Sequence, residues 1–185
     1  MTSISTLLLA IAAVIAAFAG LGLLIQWRRR RSTGFRAALG SGTVIVASDT
    51  GVASAIVLRD PRLGLRGKPD YLLEQVVGDR RVLVPLELKP TRRGRRLYES
   101  DEVQVGAYLM LLRAVYPDRA AQAGYVRYST GKFRIELTSE LEGRVRAIVA
   151  RIRAGWEASV VHRSHTIPAR CANCAIRPHC DETLV

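Results

Sequence analysis

The chain is poor in cysteine, histidine and acid. Its three cysteines, Cys171, Cys174 and Cys180, all lie at the C-terminal end, and their odd number excludes a fully paired disulfide scaffold. No histidine precedes His162, and the others are His165 and His179, so a metal site built from earlier residues must use oxygen ligands. Acids are outnumbered, 16 Asp and Glu against 28 Lys and Arg, and the resulting charge of +12 attracts polyanions. No internal repeat breaks the chain, and no low-complexity tract follows its N-terminal segment.

Charge is also missing before Arg28. Leu7 to Ile25 is a run of nineteen uncharged, mostly apolar residues, long enough as a helix to cross the hydrocarbon layer of about 30 Å. An uncharged start and an ending in Trp27-Arg28-Arg29-Arg30-Arg31 exclude the usual cleaved signal peptide and predict a single-pass membrane anchor over residues 1–27. The arginine collar stays on the cytoplasmic side by the positive-inside rule, which places the rest of the chain in a reducing compartment with nucleic acid at hand. Residues 28–42 form this collar and a Gly/Ser-rich tether, leaving a domain over residues 43–167 and a cysteine tail over 168–185.

Within the domain, Tyr71 to Val77 and Arg81 to Leu88 are strand-like runs joined by Gly78-Asp79, a two-residue hairpin signal. If Val77 faces Arg80, every facing pair sums to 157 and Asp70 lies opposite Glu87. Lys89, two residues beyond Glu87, shares that face, while Leu86 and Leu88 point to the other. Facing carboxylates repel, and a divalent cation relieves the conflict; hard oxygen ligands suit Mg2+ or Mn2+, which serve phosphodiester hydrolysis. Lys89 would orient the attacking water or stabilise developing negative charge. Pro85 cannot donate to a ladder and predicts an edge position or a bulge.

Asp101 to Tyr116 has helical composition, with Gln104 and Tyr108 on one face four residues apart. In their order and spacing, Gly67-x-x-Asp70, Glu87-x-Lys89 and Gln104-x3-Tyr108 resemble the RecB branch of the PD-(D/E)XK nuclease superfamily. Cys171-x2-Cys174-x5-Cys180 is similar, more narrowly, to the tail of its CRISPR-associated four-cysteine exonucleases and of a eukaryotic replication helicase-nuclease. The resemblance covers roughly residues 43 to 181. It implies that Asp70 and Glu87 hold the metal, that Lys89 is the catalytic lysine, and that Gln104 and Tyr108 position nucleic acid beside it.

Two departures stand out: the family's histidine ligand upstream of the Asp motif and its early cysteine are both absent. Asp49, in Ser48-Asp49-Thr50-Gly51, either replaces the missing ligand or serves a turn. For the tail the resemblance implies a [4Fe-4S] cluster with a fourth ligand other than cysteine; Zn2+ held by three thiolates with His165 or His179 is the alternative, and three free thiols the third. Arg92, Arg93, Arg95 and Arg96, between Lys89 and Gln104, read as phosphate contacts or as a solvated basic loop.

Gly124 to Ser129 and Lys132 to Leu137 alternate as two further strands, and Ser139 to Trp156 reads as a helix with Ser139 and Glu142 forming a capping box. The expected fold is therefore α/β, a restriction-endonuclease-like mixed sheet flanked by helices. The expected function is a membrane-tethered, metal-dependent deoxyribonuclease acting on single-stranded DNA ends. The competing expectations are an impaired nucleic-acid-binding scaffold of the same fold and a zinc-stapled membrane adaptor.

Overall fold

The computed structural model describes residues 43–49 and 54–185, with the isolated positions Gly20 and Gly22. Apart from those two glycines, the expected anchor, collar and tether lie outside the described residues; among the described residues no helix is long and apolar enough to cross a membrane.

Among the described residues seven strands, β1 (Val44–Ser48), β2 (Leu58–Asp60), β3 (Leu65–Gly67), β4 (Tyr71–Val77), β5 (Arg80–Lys89), β6 (Ala123–Tyr128) and β7 (Lys132–Glu136), accompany helices α1 (Glu99–Val115), α2 (Ser139–Glu157) and the short α3 (Pro168–Ala172). Five strands form one sheet in the order β1-β4-β5-β6-β7, while β2 and β3 make a separate hairpin. Among the strands of the described residues only the β5–β6 pair is parallel, and α1 supplies the crossover that a parallel pair requires. The mixed sheet with helices is the α/β architecture expected from the sequence.

The hairpin register follows the sum expected from the turn: Val77 faces Arg80 and Tyr71 faces Leu86. Gly78 makes this possible with φ of 59°, a left-handed conformation that glycine adopts freely at the first position of a two-residue turn. Pro85 corrects the expectation of an edge or a bulge, because β5 is the central strand and pairs with β4 without a register shift. Leu83 directs its N–H to the Arg119 carbonyl and its carbonyl to the Ala121 N–H, and Pro85, two residues on, faces the same way. The β5–β6 ladder resumes only at Leu86, so the missing donor of Pro85 falls in a gap.

Side-chain alternation divides the core. Leu72, Leu83, Leu111 and Leu112 join sheet, β2–β3 hairpin and α1, and Val105, Leu109, Val126 and Leu141 join α1, α2 and β6. On the opposite face of the sheet Tyr71, Leu73, Val84 and Leu86 form a third cluster. The expected capping box at α2 is displaced by one residue: Thr138 is the N-cap, its hydroxyl accepting from the Leu141 N–H at 3.1 Å, and Glu142 instead pairs with Arg113 and Arg146.

Candidate active site

At the C-terminal end of β5 the sheet turns Glu87 toward α1, the face opposite Leu86. Asp70 precedes β4 by one residue, so the β4–β5 register carried one step further sets it against Glu87. Each carboxylate is half used. Asp70 accepts from the Leu88 N–H through Oδ2 at 2.7 Å, whereas Glu87 Oε1 accepts from both Lys89 Nζ at 2.9 Å and Gln104 Nε2 at 2.8 Å. Glu87 Oε2 is buried and has no hydrogen-bond partner. A carboxylate that is 6% exposed and lacks a donor on one oxygen is costly, by about 1–3 kcal/mol or more, unless a cation supplies the missing interaction.

The helix locks this arrangement. Gln104 and Tyr108 lie one turn apart on α1, and Gln104 Nε2 also donates to Tyr108 Oη at 2.9 Å. The phenol in turn donates to the Lys68 carbonyl at 3.3 Å, two residues before Asp70. Burial pushes the Tyr108 hydroxyl up to about 12, with the negative charges of Glu87 and Asp70 adding to the rise against the opposing hydrogen bond from Gln104. It therefore stays a neutral donor across the physiological range. Asp70, Glu87, Lys89, Gln104 and Tyr108 are thus brought together as expected from their spacing.

Asp49 is placed beside this group but is occupied. Its N–H donates to the Asp70 carbonyl at 3.0 Å, extending the β1–β4 pairing, and its carboxylate lies 2.5 Å from Lys68 Nζ. Among the described residues no three His, Cys, Asp or Glu side chains gather as a metal-holding set. Asp70 and Glu87 are the carboxylates that the β4–β5 register sets against each other, while the Asp49 carboxylate is in an ion pair with Lys68.

The tail cysteines are likewise not gathered. Cys171 is buried in α3, Cys174 is exposed, and Cys180 follows the 3-10 turn Arg177–His179 half-buried; all three are free thiols. Among the described residues they do not gather with any other His, Cys, Asp or Glu as a metal-holding group.

Arg92 has partners within the protein. Its guanidinium lies 3.2 Å from Asp101 and 4.4 Å from the centre of the Tyr98 ring, and Asp101, 1% exposed, also accepts from Tyr128 Oη at 2.6 Å. The Tyr128 hydroxyl then accepts from the Tyr98 N–H at 3.0 Å, tying β6 to the start of α1. Arg92 is a latch that fixes α1, and so Gln104, against the sheet. Arg93, Arg95 and Arg96 are exposed. The sequence motifs did not single out Lys68 or the Asp101–Tyr128 pair; an acid in the first turn of a helix reads ordinarily as dipole compensation, and only the fold shows its partner.

A family model for the PD-(D/E)XK nuclease superfamily matches residues 11–181. No curated protein matches the chain. Among solved structures, the crystal structure of SSO0001 is similar at 15% identity, over 83% of this chain and 68% of that one, with a TM-score of 0.46. With the matched residues spanning nearly the whole sequence, the chain belongs to the PD-(D/E)XK nuclease superfamily.

Proposed function

We propose that this protein is a metal-dependent deoxyribonuclease of the RecB branch, tethered to a membrane and acting on single-stranded DNA ends. The observation that carries the chemistry is Glu87 Oε2, buried without a donor on a carboxylate that faces Asp70 and touches Lys89. Members of the superfamily generally use Mg2+ or Mn2+, and two half-used carboxylates on facing strands fit such an ion. Bound between Asp70 and Glu87, it would polarise the scissile phosphodiester and acidify the attacking water.

The protein's own groups do the rest. Lys89 retains N–H donors beyond the one given to Glu87 and directs positive charge at the phosphate oxygens as they gain electron density. Gln104 holds Glu87 Oε1 in place, so Oε2 keeps its direction, and Tyr108 anchors Gln104 through the Lys68 carbonyl. The tether is supported by Leu7 to Ile25 and the arginines that follow, and the preference for single-stranded ends by analogy with the branch that the motifs resemble.

Labelled single-stranded and duplex DNA, offered with Mn2+ to the full-length protein in detergent, tests this. Expected is shortening of the single strand, lost in Glu87→Ala and Lys89→Ala. A protein that binds both DNAs but cuts neither is instead a scaffold of the same fold, a second reading favoured by Asp49 being tied to Lys68. The [4Fe-4S] tail rests on the resemblance carried by the cysteine spacing; iron and sulfide assayed after anaerobic purification, at one cluster per chain, would establish it, zinc in their place would favour the three-thiolate zinc site, and the absence of all three would leave free thiols.

A further inference from the structure

The β2–β3 hairpin packs Leu58, Asp60, Leu65 and Gly67 inward and turns Arg59 and Arg66 outward, where both are exposed. The two arginines face each other directly across the ladder. Like charges opposite one another destabilise a sheet, and among the described residues no carboxylate is paired with either. The one acid of the hairpin, Asp60, is buried and accepts from the Arg62 N–H at 2.9 Å. At the turn, Arg153 from α2 lies where a Cβ on Gly64 would stand, adding a third exposed guanidinium.

At its other end the hairpin runs straight into the active site. A Cβ on Gly67 would meet the Tyr108 ring at 2.8 Å, the Lys68 carbonyl accepts from the Tyr108 hydroxyl, and Asp70 follows. By strand rise, Arg66 lies within about 13 Å of Asp70. We propose that Arg59 and Arg66 form a phosphate-binding clamp for the nucleic-acid strand, holding backbone phosphates beyond the one cut at Asp70 and Glu87. An anion between the guanidiniums turns their repulsion into shared attraction, and contact with phosphate alone makes the grip independent of base sequence. The site's adjacency to Asp70 favours a nucleic-acid phosphate over a lipid headgroup. The clamp rests on the nuclease reading above and assigns the track along which its substrate lies.

The test is binding of fluorescent single-stranded oligonucleotides to the full-length protein in detergent and chelator, across a salt series. Two phosphate contacts on a single strand contribute about 1.4 to the slope of log affinity against log salt. Arg59→Gln/Arg66→Gln should lower that slope by about this amount and weaken low-salt binding roughly tenfold for every sequence. Arg59→Lys should keep the slope. With no oligonucleotide, the double variant should melt no lower than the parent, since removing facing like charges relieves strain that a structural role would not.

An unchanged slope overturns the clamp, as does a lower melting temperature with unchanged binding. If the double variant loses binding of water-soluble glycerophosphoglycerol, the headgroup of phosphatidylglycerol, while its oligonucleotide slope stands, the pair binds lipid and the proposal fails. Cutting by the parent with Mn2+ is scored separately: cutting with an unchanged slope rejects the clamp alone, and a slope lost without any cutting rejects the nuclease alone. Absence of binding by the parent at low salt rejects both.

Discussion

Glu87 is satisfied on one side only, and that asymmetry dictates what its replacement does. Glu87→Gln keeps the shape and the acceptor that Lys89 and Gln104 address, but removes the charge on the buried oxygen that lacks a donor. Cleavage in Mn2+ should fall by at least about a hundredfold, the scale of losing one preorganised electrostatic group, while the urea midpoint stays near that of the parent. A variant that cuts normally removes Glu87 from the chemistry. Tyr108 provides a second measurement. Its folded-state value of about 12 lies above the ordinary 10, so its neutral form contributes stability that is fully present below pH 10 and is lost as pH rises toward 12. Stability curves from pH 9 upward should show this loss in the parent and a smaller one in Tyr108→Phe; equal losses would mean that the phenol ionises as it does in the unfolded chain. At this scale the sequence was informative because period two and the Gly78-Asp79 turn together leave one register, and that register alone sets Asp70 against Glu87. The internal partner of Arg92 was not legible: a basic loop residue looks the same in sequence whether or not it also pairs with a buried acid such as Asp101.

Elements meet at glycines in this fold, and the glycines predict opposite signs. A Cβ on Gly67 would come within 2.8 Å of the Tyr108 ring and 3.0 Å of Leu111. Tyr108 is held by hydrogen bonds to Gln104 and Lys68, so the ring has little freedom to give way. Gly67→Ala should therefore cost about 1–3 kcal/mol and lower cleavage as well, because the displaced phenol releases Gln104. Gly143, inside α2, has nothing within 4 Å of the same position, and Gly143→Ala should stabilise by about 0.5–1 kcal/mol through helix propensity. Thermal melts of the two variants check both signs, and a shift of the same sign in both would sink the account of close approach. The long elements were readable from the chain: α1 and α2 fall within two residues of their expected bounds, since their periodicity runs for 17 and 19 residues. The β2–β3 hairpin was not. Its strands are three residues each, too short for alternation to stand out from a polar loop, and their inward face is defined by distant residues of the sheet and helices.

For the whole molecule, the active site is a local conflict that the global fold tolerates. The β4–β5 register and α1 hold two carboxylates in opposition, and on the proposed reading a cation bound there would return the stability given up. Linkage turns this into a measurable shift, because a ligand bound by the folded state alone adds about 2.7 kcal/mol at a hundred times its dissociation constant. For a chain of 185 residues, each 1 kcal/mol moves the melting temperature by about 2–4 °C. Saturating Mn2+ should thus raise the melting temperature of the parent by roughly 5–10 °C. In Asp70→Asn or Glu87→Gln the rise should shrink to within about 1 °C, the variants losing the metal response rather than the fold. The same titration separates a paired-carboxylate site from general screening of the +12 charge. Screening would follow ionic strength and survive both substitutions, so a variant that retained the full Mn2+ response would place the ion away from Asp70 and Glu87.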